Sequence, residues 1–125
     1  MITSHYRDFT GRAADGVGYP LQRCLACGAI PNFPRVCCPR CLSELGWFSG
    51  SGTGVITACA VVRRTHAERY EPHVPIVLCH VRLAEGPEVI ASIVGADRLT
   101  ASIGVQVARA DSEAWSALPQ FRIAA

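Results

Sequence analysis

The chain has 125 residues, of which 50% are hydrophobic and 18% are charged, and its formal net charge is +2. This composition is typical of a compact globular protein, and it excludes a disordered chain or a strongly basic nucleic-acid-binding domain. All of its basic residues other than histidine are arginines. The chain therefore has no lysine for Schiff-base chemistry or for a phosphate-binding P-loop.

The N-terminal segment, residues 1–18, predicts a short helix followed by a break. Ser4 can cap a helix over residues 3–15, and Tyr6 and Phe9 fall roughly on one face of it. The glycines that follow are expected to end this helix.

We expect a cytoplasmic protein with no membrane span. The first residues lack the apolar stretch of a signal peptide. The longest apolar run, at residues 55–62, is far shorter than the ~20 residues that cross a bilayer. Seven cysteines in a chain without an export signal favour metal binding over disulfide bonds.

Residues 19–48 predict a zinc ribbon. Cys24, Cys27, Cys38 and Cys41 form two C-x2-C pairs, and two such pairs complete the tetrahedral sulfur site that zinc prefers. An iron site of the rubredoxin type has the same spacing, whereas a redox C-x-x-C would not need a matching second pair. Four protein ligands leave no open position, so we expect a structural metal and not a catalytic one.

Cys37 directly precedes Cys38 and is an alternative ligand. The spacing Cys-Pro-x-Cys favours Cys38 as the ligand and leaves Cys37 as a spare thiol. Replacing either residue separates the two assignments, because only the true ligand is needed to hold the metal.

Residues 49–125 predict a small β-barrel of the OB-fold type, which makes the chain mainly β. Short β-rich runs alternate with turn signals, as is typical of such barrels. A Glu-Gly-Pro turn joins the second and third runs as a hairpin, and one helical turn is expected near residues 97–103. The predicted strands are Val55 to Val62, Ile76 to Ala84, Glu88 to Val94, Gly104 to Arg109 and Phe121 to Ile123.

The second predicted strand has one uniformly apolar face, which we expect to point into the barrel. The residues of that face are Val77, Cys79, Val81 and Leu83. His80 and Arg82 alternate with them and are therefore expected to point outward, towards solvent or a partner.

Other candidate groups show no catalytic pattern. Cys59 and Cys79 lie inside predicted strands, where we interpret them as small buried hydrophobic residues. The four histidines are scattered, without a triad order or an H-E-x-x-H motif. The glycine-rich run at residues 50–54 leads into a strand and not a helix, so we interpret it as flexible backbone and not as a phosphate loop.

Arg63, Arg64 and Arg69 cluster after the first barrel strand. Arginine side chains of this kind bind phosphate groups through charge-assisted hydrogen bonds. A solvated loop is the more frequent role of such a cluster, and the sequence leaves both interpretations open.

The order of these motifs resembles the acyl-CoA-associated zinc-ribbon/OB-fold proteins, the accessory subunits of thiolases, thiolase-like aldolases and MaoC-type hydratases. The resemblance runs from about Phe9 to the C-terminus. It depends on the motifs Leu21-Gln-Arg-Cys24-x-x-Cys27-Gly28, Phe33-Pro34-Arg35, Cys38-Pro-x-Cys41, Trp47, Ser49-Gly-x-Gly-x-Gly54-Val55, Val81-x-Leu83-x-Glu85-Gly86-Pro87, Ile103-Gly104-x-x-Val107 and Leu118-Pro119-x-Phe121.

The resemblance implies an N-terminal helical segment, a rubredoxin-like ribbon and an OB-fold. It also implies a non-catalytic subunit of an acyl-CoA-processing complex in lipid or steroid metabolism, which docks on a larger thiolase-like or hydratase partner as a hetero-oligomer. The resemblance further implies that the subunit contains structural zinc and that it helps to bind or channel a CoA thioester. We expect Arg63, Arg64 and Arg69 to contact CoA phosphates, and Tyr6, Phe9, His80 and Arg82 to contact the partner.

Two other functions are consistent with parts of the sequence. A zinc ribbon with an OB-fold also occurs in nucleic-acid-binding modules, but those combine a positive groove with several stacking aromatic residues, which the near-neutral charge disfavours. A free-standing enzyme would need a base–nucleophile pair or an open metal position, and the sequence shows neither. We therefore expect no nucleic-acid partner and no turnover by the chain alone.

Overall fold

The structure is a computed structural model, and it describes residues 19–110, 115 and 118–124. The helix expected over residues 3–15, with Tyr6 and Phe9, lies outside the described residues. The strands of the described part are β1 (Tyr19–Cys24), β2 (Leu45–Gly50), β3 (Thr53–Val62), β4 (Ile76–Leu83), β5 (Glu88–Ile93), β6 (Gln106–Arg109) and β7 (Gln120–Ile123). Single 3₁₀ turns occur at Glu71–His73 and Arg98–Thr100.

The ribbon is built on an antiparallel hairpin. β1 pairs with β2 from Tyr19 opposite Gly50 to Cys24 opposite Leu45. Cys24 is the last residue of β1, and the long loop between the strands carries Cys27, Cys37, Cys38 and Cys41. Sequence analysis did not predict these two strands, because five of the six residues of β1 are buried and the chain shows no alternation there.

Strands β3 to β7 close into a barrel with the order β3-β4-β5-β7-β6. All neighbouring pairs are antiparallel except β5 and β7, which run parallel. This arrangement is the five-stranded OB-fold that the sequence predicts. The 3₁₀ turn at Arg98–Thr100 lies in the crossover where one helical turn was expected.

The apolar face of β4 points into the barrel, as predicted. Val77, Cys79, Val81 and Leu83 are all buried. They pack in one cluster with inward residues of the other barrel strands, including the fully buried Phe121.

Ribbon and barrel share this core. Tyr19 and Leu21 of β1 are buried in the same cluster as the barrel residues. The ring of Tyr19 lies 6.0 Å from the ring of Phe121, measured between centroids. We use "ribbon" for residues 19–48 and "barrel" for the described part of 49–125, but the two pack as one unit.

The glycine-rich run at residues 50–54 leads directly into strand β3 and not into a helix, in agreement with the sequence interpretation. A Cβ atom on Gly54 would lie 2.6 Å from the backbone oxygen of Arg82, so no larger residue fits there without displacing β4. The amide of Ser51 donates a hydrogen bond of 2.8 Å to the carboxylate of Glu85. The glycine-rich and Glu-Gly-Pro motifs, far apart in the chain, thus brace each other.

In the described part of the chain, no helix has the length and apolar character needed to cross a membrane.

Candidate metal centre and binding surfaces

The structure brings the four predicted metal ligands together. The Sγ atoms of Cys24, Cys27, Cys38 and Cys41 all lie within 4.8 Å of one another. Sγ of Cys24 is 3.4 Å from Sγ of Cys41, and Sγ of Cys27 is 3.6 Å from Sγ of Cys38. A tetrahedral zinc ion with Zn–S bonds of about 2.3 Å separates its sulfur ligands by about 3.8 Å. The cluster therefore fits one zinc ion with little movement.

Backbone amides point at the sulfur atoms. The amides of Ala26 and Cys27 donate to Sγ of Cys24 at 3.4 and 3.3 Å, and the amide of Arg40 donates to Sγ of Cys38 at 3.4 Å. The hydrogen bond from the Cys27 amide is the main cause that lowers the pKa of Cys24 to about 6. The two donors to Cys24 thus favour its thiolate, which is the form that binds a metal.

The two knuckles have the same backbone geometry. In the first, the amide of Gly28 donates to the carbonyl of Cys24 at 3.0 Å, and in the second, the amide of Leu42 donates to the carbonyl of Cys38 at 2.8 Å. Gly28 and Leu42 both have positive φ, 77° and 65°. Glycine adopts this conformation readily and leucine does so rarely, so Leu42 is held there by the knuckle.

Cys37 is half-buried and is not a member of the four-thiol cluster. Its neighbour Cys38 is buried within the cluster. This geometry favours the sequence-based choice of Cys38 as the ligand.

The second group of thiols is a cross-strand pair in the barrel. Cys59 of β3 lies opposite Cys79 of β4, with 3.3 Å between their sulfur atoms. Burial is the main cause that raises the pKa of Cys79 to about 12, which disfavours it as a nucleophile. The prediction that Cys59 is buried was wrong, because it is exposed. β6 pairs with β3 only over residues 53–55, so the barrel does not cover β3 at Cys59.

His80 and Arg82 point outward from β4, as predicted. Both contact Glu88 of β5: Nδ1 of His80 is 3.2 Å from one carboxylate oxygen, and the Arg82 guanidinium is 3.8 Å from the other. Thr57 donates its hydroxyl to the same carboxylate at 2.9 Å. The bonds from Thr57 and then His80 lower the pKa of Glu88.

Sequence analysis missed Glu88 as the centre of this polar cluster. The residue was visible only as the start of a predicted strand, and its partners depend on how β3, β4 and β5 pair. The amide of Glu88 also donates to Oδ1 of Asn32 in the ribbon at 3.1 Å. The cluster thus lies where the barrel meets the ribbon.

The three predicted phosphate-binding arginines lie in the connection between β3 and β4. Arg63, Arg64 and Arg69 are all exposed. The guanidinium carbon of Arg69 lies 5.6 Å from the centre of the Tyr70 ring.

An apolar cavity of about 220 Å³ lies beside this connection, and sequence analysis did not predict it. The cavity forms from residues of four separate segments, which the sequence alone does not bring together. Trp115 lies at its edge, with its ring stacked on His73 at 4.3 Å and perpendicular to Tyr70 at 6.2 Å. The lining residues are Val62, Thr65, Tyr70, Ile76, Leu78, Ser92, Trp115 and Leu118.

The comparisons with known proteins agree with this fold. The family model of the ChsH2 C-terminal OB-fold domain matches residues 47–110. Among solved structures, a chain of the Ltp2-ChsH2(DUF35) aldolase superposes with a TM-score of 0.82 and 27% identity, over 99% of this chain and 98% of that one. A DUF35-family protein of unknown function from Sulfolobus solfataricus has a TM-score of 0.64 at 9% identity, over 96% and 85% of the two chains, which shows the fold alone.

Two curated relatives match most of this chain but a smaller share of their own length. A probable enoyl-CoA hydratase alpha subunit of Thermomonospora curvata is 30% identical over 82% of this chain but only 32% of its own length. A DUF35 domain-containing scaffold protein of Methanothermobacter thermautotrophicus is 33% identical over 69% of this chain and 65% of its own length. The chain thus spans about a third of the first relative and just under two thirds of the second.

Proposed function

The chain belongs to the family of the ChsH2 C-terminal OB-fold domain, and from this premise we propose that it is a non-catalytic accessory subunit of an acyl-CoA-processing complex. In this role it docks on a larger catalytic subunit and helps to bind or channel a CoA thioester. The observation that carries the proposal is the similarity, along nearly the whole of both chains, to a chain of an aldolase complex.

The chemistry of the described residues supports a non-catalytic role. A tetrahedral zinc ion held by four thiolates has no position left for a substrate. Cys79 has a raised pKa, and Nδ1 of His80 is already paired with Glu88. Nucleophilic catalysis needs an activated group beside a base. The Thr57 hydroxyl does donate to Glu88, but this carboxylate is already paired with His80 and Arg82, and its lowered pKa makes it a weak base.

We propose that the partner is a thiolase-like or MaoC-type hydratase subunit, so that the complex is a hetero-oligomer. The relatives support these two classes, because one is named as an aldolase and one as a hydratase alpha subunit. The name of the third, a scaffold protein, supports a role in assembly.

The ion that we propose is one structural zinc on Cys24, Cys27, Cys38 and Cys41. When bound, it supplies a tetrahedral cross-link between the two knuckles. The backbone amides of Cys27 and Ala26 lower the pKa of Cys24, and the hydrogen bonds from Gly28 and Leu42 keep the two knuckles folded. This would hold the ribbon loop in one shape, as a docking element requires.

The contact surface that we propose combines Tyr6 and Phe9 of the N-terminal segment with His80 and Arg82 on the outer face of β4. The side chains of His80 and Arg82 are 52% and 63% exposed, and Glu88 holds both in place. Stable interfaces concentrate their binding energy on a few aromatic and arginine side chains, which this surface would provide.

Co-expression with a thiolase-like or MaoC-type hydratase subunit tests the docking proposal. We expect the full chain to co-elute with that subunit in size-exclusion chromatography. Deleting residues 1–15, or replacing His80 and Arg82 with alanine, should weaken the complex and leave the zinc content unchanged. Ile103→Ala, at a side chain that is 72% exposed in the β5–β6 connection, is the matched control. Full co-elution of the truncated chain would place the docking surface elsewhere.

A further inference from the structure

The cavity beside the arginine-bearing connection lies on the outer face of the barrel. Leu78 of β4 and Ser92 of β5 line it, and these are the second and third strands of the barrel. In OB-folds, the face of these two strands, together with the connections after the first and fourth strands, is the usual ligand surface. Tyr70 lies in the first of these connections and Trp115 in the second. The cavity is therefore at the position where this fold commonly binds ligands.

The walls of the cavity suit a flat aromatic ring. The rings of Tyr70 and Trp115 meet at 79°, with 6.2 Å between their centroids, so they form a corner of two aromatic surfaces. His73 stacks on Trp115 and fixes its orientation. Thr65 accepts a hydrogen bond from the amide of Ala67, which leaves its hydroxyl hydrogen able to bind a ring nitrogen.

Three arginines flank the lining residues along the chain, and the guanidinium carbon of Arg69 lies 5.6 Å from the centre of the Tyr70 ring. Arg63 follows Val62, Arg64 precedes Thr65 and Arg69 precedes Tyr70, so each arginine is the chain neighbour of a lining residue. Two glutamates in the same connection leave it with an excess of positive charge. An aromatic slot next to guanidinium groups matches a purine base that carries phosphates.

The size and position of the cavity favour the adenosine end of CoA over its acyl end. A volume of about 220 Å³ is below the ~300–1,000 Å³ that enclose a whole drug-sized ligand, so it suits one ring system. In an acyl-CoA, the phosphates are attached to the adenosine, whereas the whole pantetheine arm separates them from the acyl group. An acyl chain in this cavity would leave the arginines far from any phosphate.

We propose that this cavity binds the adenine ring of the CoA moiety, in the corner that Tyr70 and Trp115 form, and that Arg63, Arg64 and Arg69 bind its phosphates. This inference rests on the proposed function and assigns the nucleotide end of the ligand to the accessory chain. The pantetheine arm and the acyl group then extend away from this chain, towards the catalytic subunit.

Calorimetric titration of the zinc-loaded chain, alone and in complex with its catalytic subunit, tests the inference. The probes are CoA, adenosine 3′,5′-bisphosphate and pantetheine. We expect the bisphosphate to bind and to compete with CoA, and pantetheine to do neither.

Two ring variants and one charge variant locate the site. Tyr70→Leu and Trp115→Leu should each weaken binding of both CoA and the bisphosphate by about tenfold, because each removes a stacking surface. Arg69→Ala should weaken both probes too, and it keeps the test valid if a ring variant fails to fold. Trp47→Leu is the control, since Trp47 lies in β2 and does not line this cavity.

The outcomes separate the inference from the proposed function. If CoA binds but the bisphosphate does not compete, and the variants keep full affinity, then the inference is wrong and the accessory role stands. If neither the chain nor the complex binds CoA, the proposed CoA role fails together with the inference. Displacement of the bisphosphate by a tighter-binding single-stranded oligonucleotide would overturn both in favour of a nucleic-acid module.

Discussion

The ribbon and the barrel keep their shape by different means. The barrel closes over inward side chains from five strands, and burial of apolar surface stabilises it. From the ribbon, Tyr19 and Leu21 of β1 are buried in this core, and Phe48 of β2 and Ile30 of the loop pack against it. The rest of the long loop depends on four thiols brought to one point. A metal can thus order a segment that is too short and too rich in proline to bury a core of its own. The ribbon should therefore unfold when its cysteine ligands are replaced, and the barrel should lose stability when a buried core side chain is truncated.

The largest effect is expected at the metal. Structural zinc in small ribbons contributes ~10–16 kcal/mol of apparent binding energy, which is also folding energy. Cys38→Ser should therefore abolish stoichiometric zinc binding and unfold the ribbon loop. Metal analysis and circular dichroism measure the two losses.

Cys37→Ser is the matched control for this variant, since it changes the adjacent thiol. It should keep one zinc per chain. Loss of zinc from Cys37→Ser as severe as from Cys38→Ser would reverse the ligand assignment.

The second effect tests the shared core. Phe121 is fully buried and packs against Tyr19 of the ribbon. Phe121→Ala should lower the free energy of unfolding by ~3–5 kcal/mol, because it removes a large apolar side chain and leaves a cavity. Denaturant titration of the zinc-loaded chain measures this loss, with Ile103→Ala as an exposed control. A loss below that of the control would mean that the barrel core does not carry the stability of the chain.

A smaller effect is expected where the two regions meet. Asn32→Ala removes the acceptor of the hydrogen bond from the Glu88 amide. Such a bond contributes ~0.5–1.5 kcal/mol, so we expect a loss of that size in denaturant titration, with the zinc content unchanged. Leu99→Ala, at an exposed side chain in another connection, is the comparison. An equal change in the free energy of unfolding for the two variants would show that this hydrogen bond does not stabilise the contact between ribbon and barrel.

The smallest effect depends on pH. The folded protein lowers the pKa of Glu88, first through Thr57 and then through His80. A lowered carboxyl pKa gives stability that is present above the unfolded pKa and is lost as the pH falls through the folded pKa. Glu88→Gln should remove this loss of stability at acidic pH, because glutamine does not take up a proton in this range. Unfolding curves recorded from neutral to acidic pH for both proteins test it, and identical pH dependence would contradict it.

The sequence predicted the barrel better than the ribbon. The strands of the barrel have apolar runs or alternation, and that pattern depends only on neighbouring residues, as in β4. β1 has no such alternation because it is buried on both faces, by the barrel core and by the loop that carries Phe33 and Arg35. Its strand structure depends on a partner more than twenty residues away.

The four-thiol cluster was predictable from the sequence, and the other features of the candidate site only in part. The spacing of Cys24, Cys27, Cys38 and Cys41 is a local signal, and the structure brings all four together. Glu88 and the cavity beside Tyr70 and Trp115 arise from strand pairing and loop packing, which leave no local signal. For the same reason Cys59 was wrongly expected to be buried.

We propose that this chain assists catalysis and does not perform it. The most direct measurement is turnover of acyl-CoA substrates by the zinc-loaded chain alone, by the catalytic subunit alone and by the purified complex. We expect no turnover by the chain alone, and turnover by the complex that exceeds that of the catalytic subunit without it. Turnover by the isolated chain, or a catalytic subunit that works equally well without it, would contradict the accessory role.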